Sequence, residues 1–290
     1  RREQPGKFRI SVVTQLLRDG GGLPLDAQEL TIRGNGTGEV VLKRKGSPPK
    51  LSTSNSAWYD PDRYRYSIRV TADGVTLEHM TLVGWEKKRS GYGWGLGVAG
   101  SGLVLNNLDF PGSYIRSAVV VCSEVRGLSI HNCSFTGSYY EAALRGGTLD
   151  LLIEYCVFQE RHWYGGPILI DDRYPVSGRI RYNYFLHGTG NEDEDGDFNQ
   201  AGLGLESIGI CTSALDDELL VQHNTFAWES AGHKNNDGNR ARAAAILVKE
   251  FPELDTSKII VRDNIFSGHR TLVTGKVSDK APGFDEPGKH

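Results

Sequence analysis

Leu128-Ser129-Ile130-His131-Asn132-Cys133-Ser134-Phe135 decides how the chain is read. Apolar and polar residues alternate with period two at its start, the mark of a strand with one buried face. A polar pair, a small residue and a closing phenylalanine follow. The same order returns at Val75 to Leu82, Leu103 to Phe110, Leu151 to Phe158, Gly178 to Phe185, Leu219 to Phe226 and Ile259 to Phe266. The closing residues fall at 82, 110, 135, 158, 185, 226 and 266, giving intervals of 28, 25, 23, 27, 41 and 40 residues. Self-similarity at such a period belongs to repeat folds, in which each unit buries its apolar face on its neighbours.

Within each copy the inner residue is aliphatic: Leu77, Leu105, Ile130, Ile153, Ile180, Val221 and Val261. A second short apolar run precedes each copy, at Ile68 to Val70, Leu96 to Val98, Val119 to Val121, Ala142 to Leu144, Ile168 to Ile170, Ile208 to Ile210 and Ile246 to Val248. Two or three short strands per unit, stacked in register, predict a parallel solenoid. Two positions before the closing aromatic stand Cys133, Cys156, Asn183, Asn224 and Asn264. Amides repeated one coil apart, about 4.8 Å, can hydrogen-bond up the stack. Cysteine fills the same slot as a small hydrophobe, so Cys133 and Cys156 are expected as packed thiols.

This aliphatic-x-aliphatic-x-x-Asn-x-Phe-x-Gly coil resembles the right-handed parallel β-helix of the pectin-lyase-like superfamily. The resemblance implies an all-β domain of about eight coils over residues 30–274. Ile10, Val13, Leu16 and Leu17 follow helical spacing before Asp19-Gly20-Gly21-Gly22, which predicts a short capping helix within residues 1–22. Residues 275–290, rich in charge, proline and glycine, are expected as an irregular cover or loose terminus. The fold alone names no activity, because this architecture hosts lyases, hydrolases, epimerases, tailspikes and adhesins.

Composition narrows the partners. With 33 Lys+Arg against 36 Asp+Glu the formal charge is 33 − 36 = −3, which lacks the basic excess of a nucleic-acid binder. No run reaches the roughly 18 to 20 apolar residues that a bilayer span requires. Glycine, 36 of 290 residues, exceeds its usual share of about 7% and implies many tight turns. The four cysteines are too few for a disulfide framework.

The segments after the closing residues carry the length variation and are expected to wall a groove along one edge. They hold Trp85, Tyr92, Trp94, Tyr114, Tyr139, Tyr140, Trp163, Tyr164, Phe198 and Trp228, ten of the 27 aromatic residues and four of the five tryptophans. Gathered aromatics of this kind suit the apolar faces of sugar rings. An extended polysaccharide is the expected partner, with Trp85, Trp94, Tyr139, Trp163 and Trp228 stacking on it. Arg116, Arg161 and Lys249 are expected to hold its charge.

Alternation along the preceding strand points Arg69, Gly97, Val120, Ala143, Leu169, Gly209 and Leu247 into that groove. Thr71, Ala99, Cys122, Arg145, Asp171, Cys211 and Lys249 are expected in one row on one flank, and Glu141 on the other. The central candidates are Arg116, Tyr140, Glu141, Arg145, Arg161, His162, Tyr164, Asp171 and Asp172. Cleavage of a uronate by β-elimination needs a cation on the carboxylate, a base for the adjacent carbon-bound proton and a donor for the leaving oxygen. Arg145 could neutralise or abstract, with His162, Tyr140 or Tyr164 as base or acid. Arg145 could equally form a cross-coil ion pair with Asp171.

Two alternatives stand beside the lyase. An inverting hydrolase needs two carboxyl groups about 6.5 to 9.5 Å apart, and Asp171, Asp172 and Glu141 are the available set. The Asp-Asp pair resembles that of polygalacturonases, whose Gly-His-Gly, Asn-Thr-Asp and Arg-Ile-Lys motifs are missing here. The other alternative is a non-catalytic glycan-binding or adhesive solenoid. Asn191 to Asp197, with Asp193, Asp195 and Asp197, resembles short calcium loops, and Asp237 lies in the next long linker. Calcium is therefore a candidate cofactor. A secreted, extracellular or periplasmic location is the matching expectation.

Overall fold

The computed structural model describes residues 23–25, 31–33, 41–44, 66–85, 94–111, 113–159, 161–162, 166–171, 173–187, 207–212, 215–228, 244–249, 253–268 and 271–274. The expected capping helix over residues 1–22 and the tail over 275–290 lie outside them. What is described is a parallel β-helix.

One sheet runs through Leu23–Leu25, Tyr66–Val70, Trp94–Val98, Ser113–Val121, Ser138–Arg145, Ile168–Asp171, Ile208–Cys211, Ala244–Val248 and Thr271–Thr274, in chain order. The short strand Arg161–His162 joins it beside Ser138–Arg145. This first sheet thus begins with Leu23–Leu25, ahead of Leu30.

A second sheet has two arms, linked where Thr76–Trp85 and Val104–Phe110 run through both. One arm continues through Ser129–His131, Leu151–Glu154, Val176–Arg181, Leu215–Gln222 and Ile259–Arg262. The other continues through Ser134–Phe135, Val157–Phe158, Tyr184–His187, Thr225–Trp228 and Ile265–Ser267. Each full coil therefore contributes three parallel stretches and returns to the first sheet one rung higher.

The repeated sequence pattern is what stacks. Leu77, Leu105, Ile130, Ile153, Ile180, Val221 and Val261 pair in one continuous row and are at most 1% exposed. The closing phenylalanines form a column inside the coil, with ring centroids 4.7, 4.7, 4.8, 4.8 and 5.2 Å apart from Phe110 through Phe135, Phe158, Phe185 and Phe226 to Phe266. That spacing is the strand separation of a sheet, so backbone pairing and ring stacking are satisfied together. Each buried ring contributes roughly 1.5 to 3 kcal/mol through burial alone.

Between the two arms seven described coils each turn on one residue in the left-handed region: His79, Asn107, Asn132, Tyr155, Tyr182, His223 and Asp263, with φ between 52° and 57°. The residue that follows carries the expected ladder. Asn183 Nδ2 donates to Asn224 Oδ1 at 3.0 Å and Asn224 Nδ2 to Asn264 Oδ1 at 3.1 Å. The same amides donate to carbonyls of the coil below: Asn183 to Ile153, Asn224 to Ile180 and Asn264 to Val221, at 2.9 to 3.0 Å. The thiols of Cys133 and Cys156 point at the equivalent carbonyls, Leu105 and Ile130, at 3.6 Å. Cysteine thus replaces asparagine in the lower coils by its weak S–H donor. All four cysteines are free thiols.

One register departs from the expectation. Ile68, Leu96, Val119, Ile168, Ile208 and Ile246 align as read, but Leu144 takes the place expected for Ala142. The offset to the preceding strand is 25 residues at Ser138↔Ser113 and again from Ala142↔Ser117 onward, two more than the 23 expected from Ala142 opposite Val119, and the irregularities between those pairs cancel. They accompany Tyr139, which is fully buried in the core with its hydroxyl donating to Phe110 O at 2.5 Å. A shift of two preserves the face each side chain occupies, because the side-chain period is two.

Candidate functional site

The corrected register moves Arg145 into the central outward row, opposite Val120 and Leu169. Asp171 pairs with Cys211 and so stands two residues further along. Arg145 was expected in the same row as Asp171; it meets Asp171 diagonally instead, Nε to Oδ2 at 3.1 Å. Arg173, two residues beyond Asp171, approaches the same carboxylate with Nε at 3.0 and 2.9 Å from its oxygens and a terminal nitrogen at 2.8 Å. The three side chains are largely buried, at 8%, 13% and 14% exposure. Two charge-assisted contacts of this kind hold a carboxylate in one orientation.

The network continues downward across the outside of the sheet. The Arg145 guanidinium lies 5.8 Å from the Trp94 ring centroid, within cation–π range. Trp94 packs with Tyr66, Val120 and Cys122 in a small buried cluster separate from the solenoid core. Gly97 makes room for it: a Cβ there would sit 2.7 Å from Cδ1 of the Tyr66 ring. Tyr66 is hydrogen-bonded to Cys122, and Arg69 reaches the same thiol. A Cβ on Gly146, whose φ is +97°, would lie 3.6 Å from the Arg173 guanidinium, so Arg173 passes over that glycine.

Burial pushes the Tyr66 phenol far above its usual range; neighbouring Cys122 adds to the rise, and Arg69 and Arg173 oppose it. Burial likewise pushes the Cys122 thiol up, against the hydrogen bond from Tyr66 and the two arginines. Both groups are neutral near pH 7, so they do not offset the guanidiniums. Arg69, Arg145 and Arg173 against Asp171 give 3 − 1 = +2 among the described side chains of this cluster. Chemically, the patch can hold anionic groups beside aromatic surface.

Of the expected site residues, the structure brings Arg145, Asp171 and Trp94 together. Trp94 is 1% exposed and Tyr139 fully buried, so neither offers a free ring face, contrary to the expected stacking platforms. Their segments are strand rather than linker, since Trp94–Val98 and Ser138–Arg145 start earlier than expected. The backbones of Arg116, Tyr140 and Glu141 are also within first-sheet strands, and Trp85 and Trp228 end strands of the second sheet. His162 pairs with Tyr139 and Arg161 with Ser138, next to the bulge. Lys249 is exposed beyond Val248, its amide donating to Ile210 O at 2.9 Å. Trp163, Tyr164, Asp172 and the calcium candidates Asp193, Asp195, Asp197 and Asp237 lie outside the described residues. Among the described residues, no group of three or more His, Cys, Asp or Glu side chains could hold a metal ion.

Sequence reading missed Tyr66, Cys122 and Arg173 as members of one site. Tyr66 has the parity of an inward residue, and only Gly97 one coil on signals a vacancy outside the sheet.

No protein-family model matches the chain. No curated protein matches it either. Among solved structures it is similar to an alginate lyase from Paenibacillus sp. str. FPU-7, with a TM-score of 0.43 and 13% identity over 89% of this chain and 90% of that one. The β-helix stands on the strand pairings themselves.

Proposed function

We propose that the outer face of the first sheet binds an extended, uronate-containing polysaccharide and cleaves it by β-elimination. The observation that carries this is the gathering of guanidiniums around Asp171, with Arg145 and Arg173 fixed by one acid and Arg69 beside Tyr66 and Cys122. A guanidinium does not deprotonate in a protein, so Arg145 serves as neutraliser rather than base. With the substrate carboxylate held, the adjacent carbon-bound proton becomes more acidic. Abstraction of that proton and protonation of the departing 4-oxygen fall to His162, Tyr140 and Tyr164. Arg116, Arg161 and Lys249 extend the cationic face, and Trp85, Trp163 and Trp228 supply aromatic surface. Calcium on Asp193, Asp195, Asp197 and Asp237 would bridge the polymer to the neighbouring linkers. Secretion to the extracellular space or periplasm fits such a substrate.

Inverting hydrolysis is less favoured, because both oxygens of Asp171 are already taken up by Arg145 and Arg173 rather than facing a glycosidic bond. Titrating a polyuronate and a neutral polysaccharide of similar length tests the binding step. Affinity for the polyuronate that falls as salt rises is expected. Equal affinity for the neutral polymer would overturn it.

A further inference from the structure

Asn132-Cys133-Ser134 has the Asn-x-Ser form of an acceptor for N-linked glycans, a motif that carries weight only on a surface turn. The structure supplies that context. Asn132 is exposed and is the residue on which its coil turns, with φ 52°, while Cys133 is buried in the core and Ser134 opens the next strand. The backbone accounts for an asparagine here, since Asn107 holds the same place one coil below. It does not account for Ser134, because the matching positions hold Thr81, Asp109, Val157, Tyr184, Thr225 and Ile265. Among these turns only the coil of Asn132 joins a turn asparagine to a hydroxyl two residues on.

The surroundings suit a sugar. Tyr155 stands in the same row one coil above, about 4.8 Å away, a register fixed by His131 opposite Glu154. Tyr155 and Tyr182 stack with centroids 5.3 Å apart, and Tyr182 and His223 at 5.1 Å. Tyr182 therefore has a ring on each face and is 42% exposed, whereas Tyr155, at the end of the stack, has one and is 55% exposed. The remaining face of Tyr155 looks along the axis toward the coil of Asn132. The apolar face of a sugar ring packs on such a surface and removes it from water. Asn132 Nδ2 donates to Asn106 Oδ1 at 3.2 Å on the exposed side of the turn, which uses one of its two N–H bonds and leaves the other to carry a substituent.

We propose that Asn132 is an N-glycosylation site whose first sugar packs against Tyr155. Transfer forms a bond between Asn132 Nδ2 and C1 of an oligosaccharide carried on a lipid pyrophosphate. The C1–O bond to that carrier breaks, the lipid pyrophosphate leaves with the bonding electrons, and Nδ2 gives up one proton. Cys133, the middle residue of the motif, is 1% exposed in the folded coil, so transfer precedes folding. The glycan then occupies the outer corner of the second sheet, while Arg145 and Asp171 stand on the first. The site is independent of the catalysis proposed for the first sheet and needs only passage through a secretory pathway that holds the lipid-linked donor.

Glycopeptide mass spectrometry on the full chain, directed through the secretory pathway of a eukaryotic host, tests this, with the chain made in a bacterial cytosol as the unglycosylated reference. Asn35-Gly36-Thr37 has the same form and lies outside the described residues, so occupancy is read peptide by peptide. Asn132 is expected to carry a glycan that a glycan-releasing amidase removes. Ser134→Ala loses it while keeping the fold by circular dichroism, and Ser134→Thr retains it. The glycosylated chain melts at a higher temperature than the reference, and Tyr155→Asn, which suits the turn, abolishes that shift. A folded, secreted chain with Asn132 bare overturns the site. A melting shift of the same size in Tyr155→Asn overturns the contact with Tyr155.

Discussion

Arg145 reaches Asp171 across one coil and two residues along the strand, Nε to Oδ2 at 3.1 Å, because Arg145 pairs in register with Leu169 and Asp171 stands two positions beyond it. This offset places Arg145 above Trp94 as well as beside Asp171, and leaves the second side of the carboxylate to Arg173. The register of one strand thereby joins an aromatic pocket to a cationic one.

Removing the acid should cost more than removing either base. Asp171→Ala removes the carboxylate shared by two largely buried guanidiniums, and losing one partner of a buried pair typically costs about 3 to 5 kcal/mol. Arg173→Ala leaves Asp171 still paired with Arg145, so its cost should be clearly smaller. Urea unfolding of both variants measures the difference; equal losses would contradict the shared-carboxylate arrangement.

The amide ladder makes a graded prediction. Asn224→Ala removes the acceptor used by Asn183 and the donor to Ile180 O, and each buried group left unsatisfied costs about 1 to 3 kcal/mol. Asn183→Cys should be milder, because cysteine already occupies this slot at Cys133 and Cys156 and reaches the matching carbonyl. Denaturation midpoints that rank the two variants the other way would refute the equivalence.

Most of the fold was legible in the sequence, and the reason is repetition. The rows from Leu77 to Val261 and from Phe110 to Phe266 each recur often enough to fix a register, and the asparagines at 183, 224 and 264 reported the turn. The site was less legible. Alternation put Arg145 and Asp171 on the outer face, yet aligning the apolar runs placed Ala142 opposite Val119, where Leu144 stands, and so missed the diagonal offset between them. Tyr66 and Trp94 cover the outside of the sheet despite their inward parity, a choice made by the vacancy at Gly97.

Thiol chemistry checks that cover. Cys122, Cys133 and Cys156 are buried and Cys211 is partly exposed, so a thiol reagent should label Cys211 first in the native protein. Gly97→Ala forces the Tyr66 ring aside and should speed labelling of Cys122. Unchanged Cys122 reactivity in that variant would show that Tyr66 does not shield it.

Alkaline pH should loosen the same cluster. Burial raises the Cys122 thiol above its ordinary value of 9.0. Below that value folded and unfolded chains both keep the proton. Above it the unfolded chain binds fewer protons, so stability declines as pH rises. Urea midpoints should fall above about pH 9 and fall less steeply in Cys122→Ala; identical slopes would remove Cys122 from the alkaline response.

The most direct test of the proposed activity follows ultraviolet absorbance from unsaturated uronate ends together with new reducing ends, on a panel of uronate-containing and neutral polysaccharides with and without calcium. Absorbance and reducing ends that grow together on a uronate polymer are the predicted result, with turnover lost in a folded Arg145→Ala variant. Reducing ends without absorbance would contradict elimination, and the absence of both on a polymer that binds would make the first sheet a recognition surface instead.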